Sequence, residues 1–175
     1  MDEQHFWHVM DTPKTLAPLH IRWMIRRDMP EVLDIENQSY VGSFVWSQDD
    51  FISCLCQRNC IGMVAEFEEQ VVGFMIYELH KTRLHVLNFA VHPAFRYRGV
   101  GRSMMDKLKN KVTTARRTEI TLQVRETNLA GLQFFKASGF RAVSVLRDFY
   151  DDATEDAIDM RYRVLARINE RREER

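Results

Sequence analysis

The chain has 175 residues, of which 45% are hydrophobic, and it carries 25 basic and 25 acidic side chains. This length accommodates one domain with a real core and is too short for two comfortable domains. A net charge of zero provides no global field that would attract nucleic acid or an anionic membrane, and no apolar stretch approaches the roughly 20 residues of a membrane helix.

Residues 1–20 form a polar segment without a clear hydrophobic period, which we interpret as an N-terminal extension, either disordered or packed on the domain. The first residues lack the cationic and then apolar pattern of a signal peptide, so we expect a cytoplasmic protein. The domain is predicted to span residues 21–165 and to begin with an alternating strand over 21–27. Residues 166–175 mix Arg and Glu and are predicted to form a solvated tail.

Two helices are predicted next. Asp28 is expected to cap a helix over 29–38, because Glu31 three residues later completes a capping-box pattern. Ser47 is expected to cap a second helix over 48–58.

Three cysteines, Cys54, Cys56 and Cys60, lie close together around the end of the second helix. Their odd number and clustering favour reduced thiols over a disulfide framework. They lack a fourth ligand at the spacing of a zinc site, so we predict no metal site.

An antiparallel meander is predicted to follow. Strands over 61–66 and 70–79 are rich in β-formers and are joined by a short polar turn, which is typical of a hairpin. Gly73 within the second strand indicates a bulge or a close backbone contact. A third strand over 83–91 completes the meander.

The third strand leads into a basic, glycine-bearing turn and a helix over 99–114. In the pattern Arg96-x-x-Gly99-x-Gly101, two residues without a Cβ stand where the N–H groups of a helix start can approach a ligand. The helix dipole favours an anion there, so the turn is predicted to seat a phosphate. The basic side chains around it are Arg96, Arg98 and Arg102.

The helix connects to a strand over 119–124, and such a crossover makes this strand parallel to the strand over 83–91. We expect the two strands to diverge at their carboxyl ends and leave a cleft, where ligands of α/β sheets generally bind. A helix over 128–138 follows, with Gly139 as its C-cap.

The chain is predicted to end in an antiparallel pair of strands over 140–147 and 157–164, linked by the acidic turn 151–156. The predicted fold class is therefore α/β in the mixed-sheet, α+β sense: a meander followed by a βαβ crossover with a splayed central strand pair.

Several motifs stand in a fixed order: Val91-His92-Pro93, Arg96-x-x-Gly99-x-Gly101, Asn128, and Phe134-Phe135-Lys136-Ala137-Ser138-Gly139-Phe140. Together they resemble the GNAT superfamily of N-acetyltransferases. Two further segments are similar to the branch of ribosomal-protein alanine N-acetyltransferases. They are Leu122-Gln123-Val124-Arg125-x-x-Asn128 and Arg147-Asp148-Phe149-Tyr150, the latter followed by Glu155-Asp156-Ala157-Ile158.

The resemblance implies that acetyl-CoA is the co-substrate and that its diphosphate lies on the basic turn. It also implies that interrupted strand pairing near Phe89, Ala90 and Val91 leaves an N–H group facing the thioester carbonyl. Asn128 is placed against the pantetheine arm, although a helix N-cap would equally explain an Asn there. The implied cofactor-binding residues are Phe89, Ala90, Val91, Arg96, Tyr97, Arg98, Gly99, Val100, Gly101, Arg102, Asn128 and Phe135.

Two positions depart from the pattern of that branch. Gln123 stands where the branch has a glutamate base, and an amide can only hold or orient a group through hydrogen bonds. Phe135 stands where the family has a tyrosine acid, and Tyr150 or Tyr162 is the nearest substitute in the sequence. The thiolate of CoA can also leave and take a proton from water.

His85 is the candidate base, because other members of the superfamily place their base at this position and a histidine has a reference pKa of about 6.5. By the two-residue period of a strand, His85, Leu87 and Phe89 are expected to share one face. The alternative is that His85 is a partly exposed strand residue without a role. The predicted catalytic residues are therefore His85, Gln123 and Tyr150.

The resemblance thus implies an N-acetyltransferase that acts by direct transfer in a ternary complex on a primary amine, with the α-amino group of a protein or peptide N-terminus as the expected acceptor. The same resemblance implies an acceptor groove between the loops 39–46 and 148–156, although Phe44 and Trp46 could simply cover the core. Two alternatives stay open: a polyamine or antibiotic acetyltransferase, and a non-catalytic acyl-CoA-binding module. The protein is expected to be a monomer or a homodimer.

Overall fold

The computed structural model describes residues 19–40, 45–114, 117–150 and 154–164. Within these residues it contains seven strands and four α-helices. The strands are β1 (Leu19–Trp23), β2 (Cys60–Phe67), β3 (Gln70–Leu79), β4 (Arg83–Val91), β5 (Glu119–Arg125), β6 (Arg141–Tyr150) and β7 (Glu155–Arg163). The helices are α1 (Met29–Ser39), α2 (Gln48–Leu55), α3 (Val100–Thr114) and α4 (Leu129–Ala137).

The seven strands form one mixed sheet in the order β1-β2-β3-β4-β5-β7-β6. All neighbours are antiparallel except β4 and β5, which are parallel. The predicted meander, the crossover through α3 and the final antiparallel pair are confirmed. The last strand within the described residues, β7, lies between β5 and β6, which leaves β6 at the edge.

Apolar cores lie on both faces of the sheet. On one face, side chains of α3 and α4 such as Met104, Leu108 and Phe135 pack on the strands, and we call this the α3 core. On the other face, α1 and α2 cover β2–β4 through residues such as Val32 and Phe51. This second face becomes polar over β5 and β7, and we define as the polar face the part that carries His85, Thr121, Gln123, Arg125 and Asp159.

The start of the domain differs from the prediction. β1 ends at Trp23 rather than at residue 27, and a short 3₁₀ turn follows over Arg26–Asp28. The expected capping box of α1 is wrong, because Asp28 makes no side-chain cap. Its carboxylate instead accepts hydrogen bonds from the Arg22 guanidinium (2.7 and 2.9 Å) and from the Ile25 N–H (2.8 Å), which hold the chain in the turn.

The second helix begins as predicted and ends early. The Ser47 hydroxyl accepts a hydrogen bond from the Asp50 N–H, which makes the expected N-cap. α2 stops at Leu55, and a tight turn brings its end back to the start of β2. Cys54 and Cys60 are paired there as a disulfide, with Cα atoms 6.1 Å apart, so the expectation of three reduced thiols is wrong. Cys56 is free and exposed.

A bulge next to Gly73 confirms the prediction for that glycine. Ala65 pairs with Gly73 and Glu66 pairs with Val71, so Val72 is the extra residue. A Cβ at Gly73 would lie 3.2 Å from the Ala90 carbonyl oxygen, which explains why a glycine fits this close approach of β3 and β4.

A second bulge, in β4, overturns the predicted facing of His85. Ile76 pairs with Asn88 and Tyr77 pairs with Val86, so Leu87 has no partner in β3. The extra residue reverses the alternation, and Val86 and Phe89 both face the α3 core. His85 therefore lies on the opposite face from Phe89, rather than on the same face.

The terminal segments lie almost wholly outside the described residues. Of the predicted extension 1–20 only residues 19 and 20 are described, and they belong to β1; the tail 166–175 is not described. None of the helices in the described part combines the length and the apolar character that a membrane span requires.

Candidate active site

The parallel pair β4–β5 separates partway along its length. Paired residues run from Arg83–Glu119 to Val86–Leu122 and stop there, although both strands continue. The predicted divergence at the carboxyl ends is therefore confirmed. We call this gap between residues 87–91 and 123–125 the opening.

Backbone donors of β4 face the opening. The His92 N–H donates to the Val72 carbonyl of β3, so by alternation the N–H groups of Phe89 and Val91 are directed to the other side, toward β5. In agreement, the carbonyl of Phe89 accepts from the Tyr40 hydroxyl (2.8 Å), a side chain from outside the sheet. Because β4–β5 pairing ends at Val86–Leu122, these two N–H groups have no strand partner among the described residues and can face a molecule that enters the opening.

The basic turn before α3 is open to solvent. Gly99 has φ 85° and Tyr97 has φ 60°, and both lie in the left-handed region. The Ser103 N–H donates to the Gly99 carbonyl as the first bond of α3, so the N–H groups just before it have no partner inside the helix. Tyr97 is 86% exposed. The side chains of Arg98 and Arg102 are also exposed, so an anion can reach the turn.

Arg96 ties this turn to the rest of the site. Its Nε donates to the Val91 carbonyl (3.0 Å), and one terminal nitrogen donates to the Ser39 hydroxyl (3.1 Å). The guanidinium therefore joins the end of β4 to the end of α1 while it adds positive charge beside the turn.

Phenylalanine side chains close the α3 side of the opening. Phe89 stacks on Phe134 with ring centroids 5.5 Å apart, and Phe135 lies 6.0 Å from Phe89. A Cβ at Gly101 would meet the ring of Phe134 at 3.2 Å, so this glycine lets α3 begin directly against the cluster. Phe135 is 8% exposed and packs within the α3 core, which suits an apolar role rather than proton transfer.

His85 lies on the polar face, where its Nδ1 contacts the Thr121 hydroxyl at 2.9 Å. Burial lowers the pKa of this imidazole; Glu78 raises it, and Arg83 and His80 lower it further. Because the net shift is downward, the ring is neutral at pH 7 and can accept a proton. Its pairing partner Thr121 lies two residues before Gln123 on the same face of β5.

Gln123 is the first residue of β5 beyond the paired segment, so its side chain stands at the mouth of the opening. Its Nε2 donates to the Asp159 carboxylate of β7 (2.8 Å). The structure thus places a buried carboxylate next to the glutamine, a feature that the sequence analysis missed. The pairing of β7 with β5 would have been needed to find it.

Tyr150, from the end of β6, also reaches this region. Its ring packs against Arg125, whose guanidinium carbon lies 3.6 Å from the ring centroid. It lies close enough to Tyr40 to raise the pKa of that phenol, although burial is the main cause of the increase. Tyr40 in turn donates to Phe89, so Tyr150 and β4 flank the same opening.

Glu36 is a second feature that the sequence analysis did not assign to the site. The side chain is 0% exposed, and its carboxylate accepts from the Trp46 N–H (2.8 Å) and from Asn88 Nδ2 (3.0 Å). Burial raises the pKa of this carboxyl, and the two hydrogen bonds oppose the increase. Glu36 thereby joins α1, the loop before α2 and the bulged part of β4.

The predicted groove loop 39–46 is described only in part, because residues 41–44, including Phe44, lie outside the described residues. Trp46 packs on Phe51 with ring centroids 5.2 Å apart. Asn128 caps α4 through a hydrogen bond from the Gly131 N–H (2.9 Å), so its structural role is confirmed.

Comparison with known proteins gives concordant results. Residues 21–140 match the model of the acetyltransferase (GNAT) family. The ribosomal protein bS18-alanine N-acetyltransferase of Salmonella typhimurium is 27% identical over 135 residues, which cover 76% of this chain and 89% of that protein. The N-alpha-acetyltransferase RimI of Mycobacterium tuberculosis is 29% identical over 148 residues, which cover 82% and 92%.

A similar solved structure is the ribosomal-protein alanine N-acetyltransferase of Escherichia coli. It superposes with a TM-score of 0.76 at 24% identity and covers 86% of this chain and 97% of its own, so the likeness bears on the fold.

Proposed function

The chain belongs to the acetyltransferase (GNAT) family, and from this premise we propose that it transfers an acetyl group from acetyl-CoA to the α-amino group of a protein or peptide N-terminus. The observation that carries the proposal is the opening: the parallel strands separate after Val86 and Leu122, next to the N-terminus of α3. A thioester that enters this gap meets backbone N–H groups on one side and polar side chains on the other.

The donor is held at two points along its length. Its diphosphate lies on the N–H groups at the start of α3, with Arg98 and Arg102 as counter-charges. The pantetheine arm runs into the opening, where Asn128 supplies an amide and Phe135 an apolar surface. Arg96 holds the turn against β4 and α1, and its hydrogen bonds to the Val91 carbonyl and the Ser39 hydroxyl support this role.

The reaction needs one bond to form and one to break. The neutral amine nitrogen attacks the thioester carbonyl carbon, and the negative charge that develops on the oxygen is stabilised by the N–H groups of Phe89 and Val91. The C–S bond then breaks, the nitrogen loses a proton, and CoA leaves as a thiolate.

His85 accepts the proton that the amine releases, either directly or through one water held at Gln123. The thiolate takes its proton from water or from Tyr150, because Phe135 cannot supply one. The neutral state and position of His85 support the first assignment. The position of Tyr150 beside Tyr40 and Phe89 supports the second.

The open polar face suits a protein N-terminus, whereas a small amine would be expected to bind in a closed pocket. One relative named above is an alanine N-acetyltransferase of ribosomal protein bS18 and the other is an N-alpha-acetyltransferase, which also supports this acceptor. A ribosomal protein as acceptor would place the enzyme in the cytoplasm. A polyamine or an antibiotic is the competing acceptor.

The test is release of free CoA thiol from acetyl-CoA with a panel of N-terminal peptides and small amines. We expect turnover with peptides that carry a free α-amine and none with the same peptides after N-terminal blocking. Turnover with small amines alone would replace the acceptor, and no turnover with any amine despite CoA binding would identify a non-catalytic acyl-CoA-binding module.

The role of His85 is tested with H85Q and a matched control, H80Q. The two rings lie 6.4 Å apart, but His80 contacts Glu78 rather than β5. We expect H85Q to lower kcat by about 10²–10⁴-fold with CoA affinity intact, the range for a general base. We expect H80Q to keep most of the activity; equal losses in both variants would contradict the assignment.

A further inference from the structure

The side-chain pair Gln123–Asp159 lies at the mouth of the opening, and only its first member was expected to act there. The two residues are direct cross-strand partners on β5 and β7. Gln123 Nε2 donates to Asp159 Oδ1 at 2.8 Å. Asp159 is 6% exposed, so its carboxylate is not accessible to an acceptor substrate.

The pair fixes the direction of the Gln123 amide. An amide has a donor side and an acceptor side, and it can in general be turned either way. A carboxylate can only accept, so the NH₂ group of Gln123 must face Asp159 and β7. The carbonyl oxygen, Oε1, then points away from β7 and toward the opening between β4 and β5. No donor contacts Oε1 among the described residues.

The second carboxylate oxygen of Asp159 is held separately. Arg161, two residues further along β7 and on the same face, donates to Oδ2 from Nε (3.2 Å) and from one terminal nitrogen (3.1 Å). Asp159 is therefore fixed on one side by Arg161 and is committed to Gln123 on the other.

We propose that Asp159 is a positioning residue of the transfer reaction: it holds the Gln123 amide so that Oε1 accepts a hydrogen bond from the attacking amine. Its negative charge, one strand away, also polarises this amide toward the amine. This inference rests on the proposed acetyl transfer.

The amide and the carboxylate can be exchanged between positions 123 and 159 without changing the net charge of the pair, which gives a sharp test. In D159N the partner of Gln123 can present either a donor or an acceptor, so the amide direction is no longer set. In Q123E two carboxylates face each other and repel. In the double variant Q123E/D159N the carboxylate lies on β5, the amide lies on β7, and the hydrogen bond can form again.

The control variant is E119Q. Glu119 also lies on β5 and pairs with Arg163 of β7, whose Nε lies 3.4 Å from the Glu119 carboxylate. This pair is at the end of the two strands that is far from the opening. Steady-state kcat and KM are measured for the acceptor peptide and for acetyl-CoA in all variants. Thermal unfolding of each variant is recorded alongside.

We expect D159N and Q123E each to lower kcat/KM for the peptide by about 10- to 100-fold, the size of one lost hydrogen bond to a charged group. KM for acetyl-CoA should not change, and Q123E/D159N should recover most of the lost activity. E119Q should behave as the wild type. The comparison of Q123E with the double variant carries the test even where D159N does not fold.

Two results would overturn the inference while the proposed function stands. In the first, the wild type turns over and D159N is as active as the control E119Q. In the second, the double variant is no more active than either single variant. Absence of turnover in the wild type with every amine would overturn the proposed function and this inference together.

Discussion

Glu36 offers a prediction whose sign and size both follow from its surroundings. The carboxylate is fully buried and accepts one hydrogen bond from the Trp46 N–H and one from Asn88 Nδ2. E36A would leave the buried Asn88 donor and the part-buried Trp46 donor without this acceptor, at about 1–3 kcal/mol each. Since the variant also removes the penalty for a buried acid, we expect a net loss of about 3 kcal/mol in the free energy of unfolding.

The matched variant E36Q keeps one acceptor and the side-chain volume. It should lose about 1–2 kcal/mol at neutral pH, because one of the two donors then faces an NH₂ group. The two proteins should also differ in pH dependence. The folded-state pKa of Glu36 lies above its ordinary value, so the native state binds more protons than the unfolded state between these two values.

It follows that the contribution of Glu36 is greatest below the ordinary pKa of a glutamate and is lost as the pH rises through the folded value. The stability difference between wild type and E36Q should therefore be larger at acidic pH than at pH 7.5. Urea unfolding of both proteins across this range measures the difference. A difference that grows with pH, or one that does not vary, would refute the reasoning from burial.

Three further predictions concern other positions. G99A should lose about 1–2 kcal/mol in urea unfolding and bind CoA more weakly, since φ there is 85°; unchanged affinity by calorimetry would count against the phosphate seat. Y77F should unfold at the same or a higher urea concentration, because the buried Tyr77 hydroxyl has no hydrogen-bond partner among the described residues, and a marked loss of stability would reveal one. The folded-state pKa of His85 is lowered, so its contribution to stability is complete above the ordinary histidine pKa and is lost as the pH falls through the folded value; H85Q should remove this slope, and an identical slope in both proteins would contradict it.

The sequence was sufficient for the order and type of the elements, because each is specified by local patterns. The hairpin, the glycine turn before α3 and the N-cap at Ser47 depend on residues a few positions apart. The parallel pairing of β4 with β5 follows from a crossover rule that does not depend on side-chain detail.

The errors arose where a distant contact decides the outcome. Asp28 has the local pattern of an N-cap, but a guanidinium from the preceding strand takes its carboxylate. The bulge at Leu87 depends on how β4 fits against β3, and one extra residue moved His85 to the opposite face from Phe89. Neither effect leaves a mark within a window of a few residues.

The candidate site could be predicted in part for the same reason. The basic turn is contiguous in the chain, and the turn that the structure shows is open, as the motif predicts. Asp159 and Glu36 lie 36 and 52 positions from their partners Gln123 and Asn88, so only the folded sheet brings them together. The roles of His85, Gln123 and Tyr150 stay predictions until the variants are measured.

The placement of β7 between β5 and β6 has a consequence for how the enzyme matures. During synthesis on the ribosome, β5 emerges long before β7, and until residues 155–163 have left the exit tunnel its outer edge has no strand to pair with. Over the same interval the Gln123 amide lacks its hydrogen-bond acceptor, the Asp159 carboxylate of β7. A nascent chain therefore completes the basic turn early and gains the Gln123–Asp159 pair only with β7, so we expect a chain truncated before β7 to lack the complete polar face.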